Sequence, residues 1–250
     1  MIDLHFTKMQ GLGNDFLVVE GPRSFDRGDI AALCDRRFGV GGDGVLVVSR
    51  NGGIRMEYWN ADGSAAEMCG NGLRCVARYA YERGWAPDRD FTILTADGER
   101  GVRVLEDGSV MAELGIPRLG EERVLDGHSY RLVDMGNPHA VRIVESPDEI
   151  DVETVGKGLQ THFPNGSNVE FASRDDAGIS MRVWERGVGE TMACGTGMAA
   201  AVAVATDQLG VKAPVRVTVP GGSGIVELRD GVAWLRGPAV VSFSGTVAER

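Results

Sequence analysis

The chain of 250 residues is short of lysine, cysteine, positive charge and long apolar runs, and each shortage excludes something. Its lysines are Lys8, Lys157 and Lys212, and none stands in a setting that marks a Schiff-base nucleophile, which fits a reaction without pyridoxal phosphate. The four cysteines, Cys34, Cys69, Cys75 and Cys194, contain no Cys-x-x-Cys pair. That argues against a zinc ribbon or a disulfide scaffold and for a reduced, cytoplasmic protein with free thiols, holding no metal. Lys+Arg number 26 against 36 Asp+Glu, a net charge of −10, so there is no basic footprint for nucleic acid or an anionic membrane. The longest apolar run, Met198 to Ala205, has eight residues and cannot cross a bilayer. Met1 to Glu20 lacks the apolar core of a signal peptide.

What is present is ordinary globular composition, 43% hydrophobic and 25% charged, with glycine in excess at 36 residues. The length suits one large domain or two small ones. Short alternating runs read as strands: Ile54–Trp59, Phe91–Thr95, Gly101–Glu106 and Val110–Leu114, then Ala140–Val144, Val169–Ala172, Ile179–Trp184, Val215–Val219, Gly224–Leu228 and Val232–Leu235. Asp-Gly and Gly-Gly turns between them predict mainly antiparallel sheets rather than a parallel Rossmann sheet. A helix is predicted from Leu73, with Leu73, Val76, Ala77 and Ala80 on one face, Arg74 and Arg78 on another, and Gly84 as its stop. Met198 to Leu209, apolar on all sides and ended by Gly210, predicts a helix buried within a sheet or barrel. Asp29–Arg37 and Asp151–Leu159 are weaker helix signals.

A repeat emerges from the two strong helices. Glu67-Met68-Cys69-Gly70-Asn71-Gly72 opens the first and Met192-Ala193-Cys194-Gly195-Thr196-Gly197 the second, and 194 − 69 = 125, half the chain. The expected architecture is α/β of the α+β type: two pseudo-symmetric domains, each a mainly antiparallel sheet around a central helix, with the active site in the cleft between them. Residues 1–117 would form the first half and 118–238 the second, with the tail, 239–250, packing back onto the first.

Each Cys-Gly-x-Gly turn carries a definite chemistry. A helix start offers N–H groups and partial positive charge, and glycine lets a ligand approach them, so each turn is a cradle for a carboxylate or phosphate. The same field is expected to lower the thiol pKa of Cys69 and Cys194. Inverting a stereocentre by proton transfer needs a base on one face of the carbon and an acid on the other, and a thiolate and a thiol can fill and exchange these roles.

Six ordered blocks then identify a relationship. They are Lys8-Met9-Gln10-Gly11-Leu12-Gly13-Asn14-Asp15-Phe16, Asn60-Ala61-Asp62-Gly63-Ser64, Cys69-Gly70-Asn71-Gly72-Leu73-Arg74-Cys75, Gly136-Asn137-Pro138-His139, Asn168-Val169-Glu170-Phe171, and Glu185 to Thr191 running into Ala193-Cys194-Gly195-Thr196-Gly197. Across essentially its whole length the chain resembles the diaminopimelate epimerases, cofactor-independent isomerases of lysine and cell-wall biosynthesis. The resemblance implies that Cys69 and Cys194 are the paired acid and base, and that Gly70, Asn71, Gly195 and Thr196 cradle the reacting carboxylate. It further implies that His139 and Glu185 flank the thiols, and that Asn14, Asn60, Asn137, Asn168 and Arg186 hold the rest of a diamino-dicarboxylate, the arginine gripping its distal carboxylate. It also implies two pseudo-symmetric domains and a homodimer. Gln10 stands where the family more often has histidine, and Gly44 where some members use glutamine for substrate. Cys34 and Cys75 read as small core hydrophobes, and Glu170, His5, His128 and His162 as structural residues. A racemase of another amino acid, or a non-catalytic anion-binding or thiol redox protein, are the competing functions.

Overall fold

Strands and helices follow one another closely in the computed structural model, which describes residues 3–66 and 68–248. Glu67, the first residue of the first turn motif, lies outside the described residues. The order is β1 (Asp3–Gly11), β2 (Asn14–Glu20), α1 (Arg27–Cys34), β3 (Gly44–Ser49), β4 (Ile54–Asn60), β5 (Ala65–Ala66), α2 (Gly70–Glu82), β6 (Asp90–Thr95), β7 (Gly98–Val104) and β8 (Val110–Gly115). It continues with β9 (Arg118–Leu125), β10 (His128–Asp134), β11 (Pro138–Ile143), α3 (Val152–Leu159), β12 (Asn168–Asp175), β13 (Gly178–Glu185), β14 (Gly189–Thr191), α4 (Gly195–Leu209), β15 (Val215–Val219), β16 (Gly222–Arg229), β17 (Val232–Gly237) and β18 (Val240–Ala248). The chain divides into two compact units, one of residues up to Ala112 together with those from Gly237 onward, the other Glu113–Arg236.

In the first unit β18, β1 and β2 pair antiparallel, β2 lies parallel to β3, and β3 antiparallel to β4. β4 then runs parallel to β6, and β6, β7 and β8 continue antiparallel. β2 and β3 are apolar on both faces, and the two-residue period of a strand sorts them. Phe16, Val18, Leu46 and Val48 join Leu73, Val76, Ala77 and Ala80 of α2 in one core. Leu17, Val19, Val45 and Val47 pack with Ile30 and Cys34 of α1 in another.

The second unit repeats this order of pairings. β9, β10 and β11 are antiparallel, β11 is parallel to β12, β12 antiparallel to β13, β13 parallel to β15, and β15 to β17 antiparallel. α4 takes the place of α2 and lies against β10 to β13, β15 and β16, with Met198 to Ala205 buried throughout. Its alanines let strand backbone come close on every side. α3 takes the place of α1, and Gly156 allows it to meet Trp184, whose Cβ would sit 2.4 Å from an added methyl group.

The α+β class and the mainly antiparallel pairing agree with the sequence, while each unit adds two parallel pairs that no turn signal marks. β7 starts and ends ahead of the expected Gly101–Glu106 strand. β1, β2, β3, β9, β10 and β18 lie outside the expected runs. β9 is charged and largely exposed, and β18 exposes Val240, Val241 and Phe243, so neither shows a clean alternation. Three hairpins depend on left-handed backbone: Leu12-Gly13, at φ 55° and 82°, Asp126-Gly127, at φ 48° and 80°, and Asp230-Gly231, at φ 51° and 83°. In the first, Gln10 Oε1 accepts from Gly13 N–H at 3.0 Å, and the tight turn places Asn14 directly opposite Gly11.

Candidate active site

Cys69 caps α2 from an extended conformation, φ −141° and ψ 116°, and its sulfur accepts the Gly72 N–H at 3.4 Å. The β1–β2 turn brings Asn14 to it, with Oδ1 3.8 Å from the Cys69 sulfur. The orientation of that amide is fixed from behind, because Asn14 Nδ2 donates to Asp43 Oδ2 at 2.9 Å. Asp43 also accepts from the Asp15 N–H and from Arg36, at 3.0 and 2.8 Å. Asp15 in turn pairs with Arg36 and Lys8, each at 2.6 Å, and Lys8 also bonds the Gly41 carbonyl. Burial alone would raise the Asp15 carboxyl, yet Arg36 and Lys8 hold it at about 2. Burial, with Asp15 beside it, pushes Asp43 up.

The first turn of α2 is clamped from inside. Arg74 is fully buried, and donates to Asn71 Oδ1 at 2.7 Å and to the Gly70 and Pro238 carbonyls at 3.3 Å. Burial lowers its pKa, with the neighbouring cysteines pulling the other way. Asn60 lies at the end of β4, where its Nδ2 donates to Ser64 Oγ at 3.0 Å and braces the turn. Gly44 faces it, and an added Cβ there would stand 2.4 Å from the Trp59 carbonyl, so no side chain fits at this position. Cys34 and Cys75 are core residues whose thiols burial pushes up to about 11 and about 12.

Cys194 caps α4 in the same way, at φ −112° and ψ 115°, with Gly197 N–H donating to its sulfur at 3.4 Å and Thr196 Oγ1 3.5 Å away. Here the expected lowering of the thiol pKa is reversed. The side chain is buried, Glu185 and Glu170 add negative charge nearby, and together they push Cys194 well above its ordinary value despite Thr196 and Gly197. Burial and the two carboxylates thus favour the protonated thiol at Cys194.

A hydrogen-bonded chain runs inward from this cysteine. Asn137 Nδ2 donates to Thr196 Oγ1 at 3.4 Å, and Asn137 Oδ1 lies 3.0 Å from His139 Nε2. His139 Nδ1 lies 2.6 Å from Glu170 Oε1, both side chains being fully enclosed. The parallel register of β11 and β12, with Val141 opposite Glu170, sets these two side chains diagonally on one face of the sheet. Asn168, opposite His139, accepts the Arg186 N–H at 2.9 Å and donates to the Pro138 carbonyl at 3.1 Å, tying three segments together. Glu185 ends β13, and its Oε1 accepts the Thr191 hydroxyl at 2.5 Å. Arg186 follows it on the exposed turn.

Of the residues singled out from the sequence, Cys69, Asn14, Gly70 and Asn71 gather at the start of α2, and Cys194, Gly195, Thr196, Asn137 and His139 at the start of α4. Asn60, Asn168, Glu185 and Arg186 stand at strand ends and turns around them. Hydrogen bonds through Asn137 and Thr196 link His139 to the thiol. Glu170, read from sequence as merely structural, is the partner of His139, and Asp43 and Arg74 are the partners of Asn14 and Asn71. A signal for one of them was there: Glu170 interrupts the buried run Asn168 to Ala172, and charges so placed are seldom unpaired, whereas Arg74, expected on another face than the apolar positions of its helix, is fully buried. Among the described residues no group of three or more His, Cys, Asp or Glu side chains is arranged to hold a metal ion. No described helix is long and apolar enough to cross a membrane.

Comparison with known proteins agrees with this picture. The family model described as "Diaminopimelate epimerase" matches residues 6–119 and 131–241. The diaminopimelate epimerase of Moorella thermoacetica is 40% identical over 97% of this chain and 98% of its own. That of Thermobifida fusca is 40% identical over 98% of both. Among solved structures, a phenazine biosynthesis protein of the PhzF family from Bacillus anthracis superposes with a TM-score of 0.78 at 16% identity, covering all of both chains. A hydroxyproline epimerase from Agrobacterium vitis gives 0.73 at 16% identity, over 98% of this chain and 91% of the other. These two likenesses concern the fold. The sequence matches carry more: the chain belongs to the diaminopimelate epimerase family, and it is an epimerase, an enzyme of the isomerase class.

Proposed function

We propose that this member of the diaminopimelate epimerase family interconverts LL- and meso-2,6-diaminopimelate by two-base thiol chemistry without a cofactor, serving lysine and peptidoglycan-precursor synthesis. The observation that carries the reading is the capping of the buried helix in each unit by a cysteine whose sulfur faces the first-turn amides. The Cys69 thiolate removes the α-proton, and Cys194 delivers its own proton to the opposite face of the carbanion. The cycle ends with a Cys69 thiol and a Cys194 thiolate, and the reverse reaction exchanges the roles. Amides of Gly70, Asn71, Gly195 and Thr196 meet the adjacent carboxylate and stabilise charge as it develops on it. His139 and Glu185 tune the thiols. Asn14, Asn60, Asn137 and Asn168 line the substrate, and Arg186 grips the distal carboxylate with its two-pronged donor.

Four cysteines without a Cys-x-x-Cys pair support a cytoplasmic setting. The exposed Val240, Val241 and Phe243 of β18 support a homodimer, which sedimentation would reveal as twice the chain mass. Incubation of the reduced protein with LL-diaminopimelate in deuterated water should place deuterium at one α-position and yield the meso isomer. Cys69→Ala and Cys194→Ala should each abolish inversion. Absence of exchange by the reduced protein would refute the reading.

A further inference from the structure

The buried pair of His139 and Glu170 sits at the foot of α4, and its placement is costly. Both side chains are enclosed, and Glu170 Oε2 is buried with no hydrogen-bond partner among the described residues. Replacing such a pair by apolar residues is often neutral or stabilising, so packing alone does not account for it. Glu170 also lies under the reacting helix start: an added Cβ on Gly197 would stand 2.7 Å from Glu170 Oε1 and 3.2 Å from the Cβ of Cys194.

With Asn137 Nδ2 on Thr196 Oγ1, the hydrogen bonds leading away from Glu170 can all run in one direction. Asn137 gives its Nδ2 protons to Thr196 Oγ1, so the atom it turns to His139 is Oδ1, which can only accept. His139 Nε2 faces that oxygen as the donor of the bond, and Nδ1 faces Glu170 Oε1. Thr196 Oγ1 accepts from Asn137, which leaves its hydroxyl proton to point at the Cys194 sulfur, 3.5 Å away. The sulfur thus meets two donors, the Thr196 hydroxyl and the Gly197 N–H. Both strengthen when the thiol gives up its proton and becomes a thiolate.

We propose that Glu170 is a positioning residue for Cys194: by holding His139, and through it Asn137, it keeps the Thr196 hydroxyl aimed as a donor at the Cys194 sulfur. This rests on the reading of Cys194 as a reacting thiol. Without Glu170 a neutral imidazole can place its proton on Nδ1 instead. Asn137 is then free to rotate, present Nδ2 to the ring and Oδ1 to Thr196, and draw the hydroxyl proton away from sulfur.

The test compares kcat, KM and α-proton exchange for the wild type, Glu170→Ala, Glu170→Gln, Thr196→Val and the Ala/Val double variant. Glu170→Ala should lower kcat about 10- to 100-fold, less than loss of a direct oxyanion donor, with KM changed no more than about twofold. Glu170→Gln should restore most of the rate, because its amide can donate to Nδ1 and leave the Nε2 proton in place. The double variant should be no slower than Thr196→Val alone, since both changes act on one hydrogen bond. If Glu170→Ala does not fold, Glu170→Met fills the volume and carries the same expectation. Multiplying losses in the double variant, an unchanged kcat in the alanine or methionine variant, or no rescue by glutamine would overturn the proposal. A wild type without α-proton exchange would instead overturn the reaction on which it rests.

Discussion

Adding one methyl group at Gly197 probes how closely the second helix start is built around its carboxylate. An alanine Cβ there would stand 2.7 Å from Glu170 Oε1 and 3.3 Å from its Cδ, closer than carbon and oxygen pack. Glu170 has no room to withdraw, because it is buried and tied to His139 at 2.6 Å. The first turn of α4 must shift, carrying Cys194 with it, or the contact of Glu170 with His139 must break. Overpacking of this kind costs about 1–3 kcal/mol. Replacing glycine inside a helix returns about 0.5–1 kcal/mol. The net is a destabilisation of up to about 2.5 kcal/mol, read in a melting curve as a fall of up to about 10 °C for a chain of this size.

The matched position in the first unit is the control. A Cβ on Gly72 meets only the far end of Leu46, at 3.0 Å, and the Cys69 Cβ at a comfortable 3.6 Å. A leucine methyl can rotate away, so Gly72→Ala should stabilise the protein by up to about 1 kcal/mol through the helix-propensity gain. In α-proton exchange, Gly197→Ala should lose about 100-fold, the scale of a misplaced reacting group, and Gly72→Ala about tenfold at most. Equal melting temperatures and equal rates for the two variants would refute the view that Glu170 confines the Cys194 turn.

Further outcomes follow from the same geometry. Cys34 and Cys75 titrate at about 11 and about 12 when folded, above their unfolded values. The folded state then holds more protons, so the stability they contribute is complete below about pH 8.5 and is lost as pH rises through those values. Chemical denaturation at pH 8, 9 and 10 should show stability falling, and Cys75→Ala should reduce the slope; a slope unchanged in that variant would contradict the assignment. Asp43→Ala removes the acceptor that orients Asn14, and kcat/KM should fall about tenfold, the weight of one positioning hydrogen bond to a charged group, with the fold retained by circular dichroism. Arg74→Met leaves Asn71 Oδ1 and the Gly70 carbonyl without their buried donor, and denaturant titration should show a loss of about 3 kcal/mol.

Much of this was legible in the chain. The two Cys-Gly-x-Gly turns mark both helix starts because a cysteine cap and glycine amides are local features, although α2 and α4 begin inside those turns, at Gly70 and Gly195, three residues ahead of the starts expected at Leu73 and Met198. The glycine at 44 reads only as a departure from some relatives, and the structure supplies its reason in the Trp59 carbonyl. The partners of the site residues were not legible. Asp43 meets Asn14 across 29 positions and Glu170 meets His139 across 31, and such pairs are set by the parallel registers of β2 with β3 and β11 with β12, which no turn sequence encodes. The pKa of Cys194 failed for a related reason. The helix start that favours a thiolate is local, whereas the burial and the two carboxylates that disfavour it come from distant strands.

The most direct test of a two-thiol epimerase is the position of solvent deuterium in the earliest turnovers in deuterated water. With one thiol removing the α-proton and another supplying its replacement, the newly formed epimer carries deuterium while the remaining substrate still carries hydrogen. Deuterium appearing equally in both isomers from the first turnovers would mean that a single base serves both faces, and would contradict the assignment of Cys69 and Cys194 as an acid–base pair.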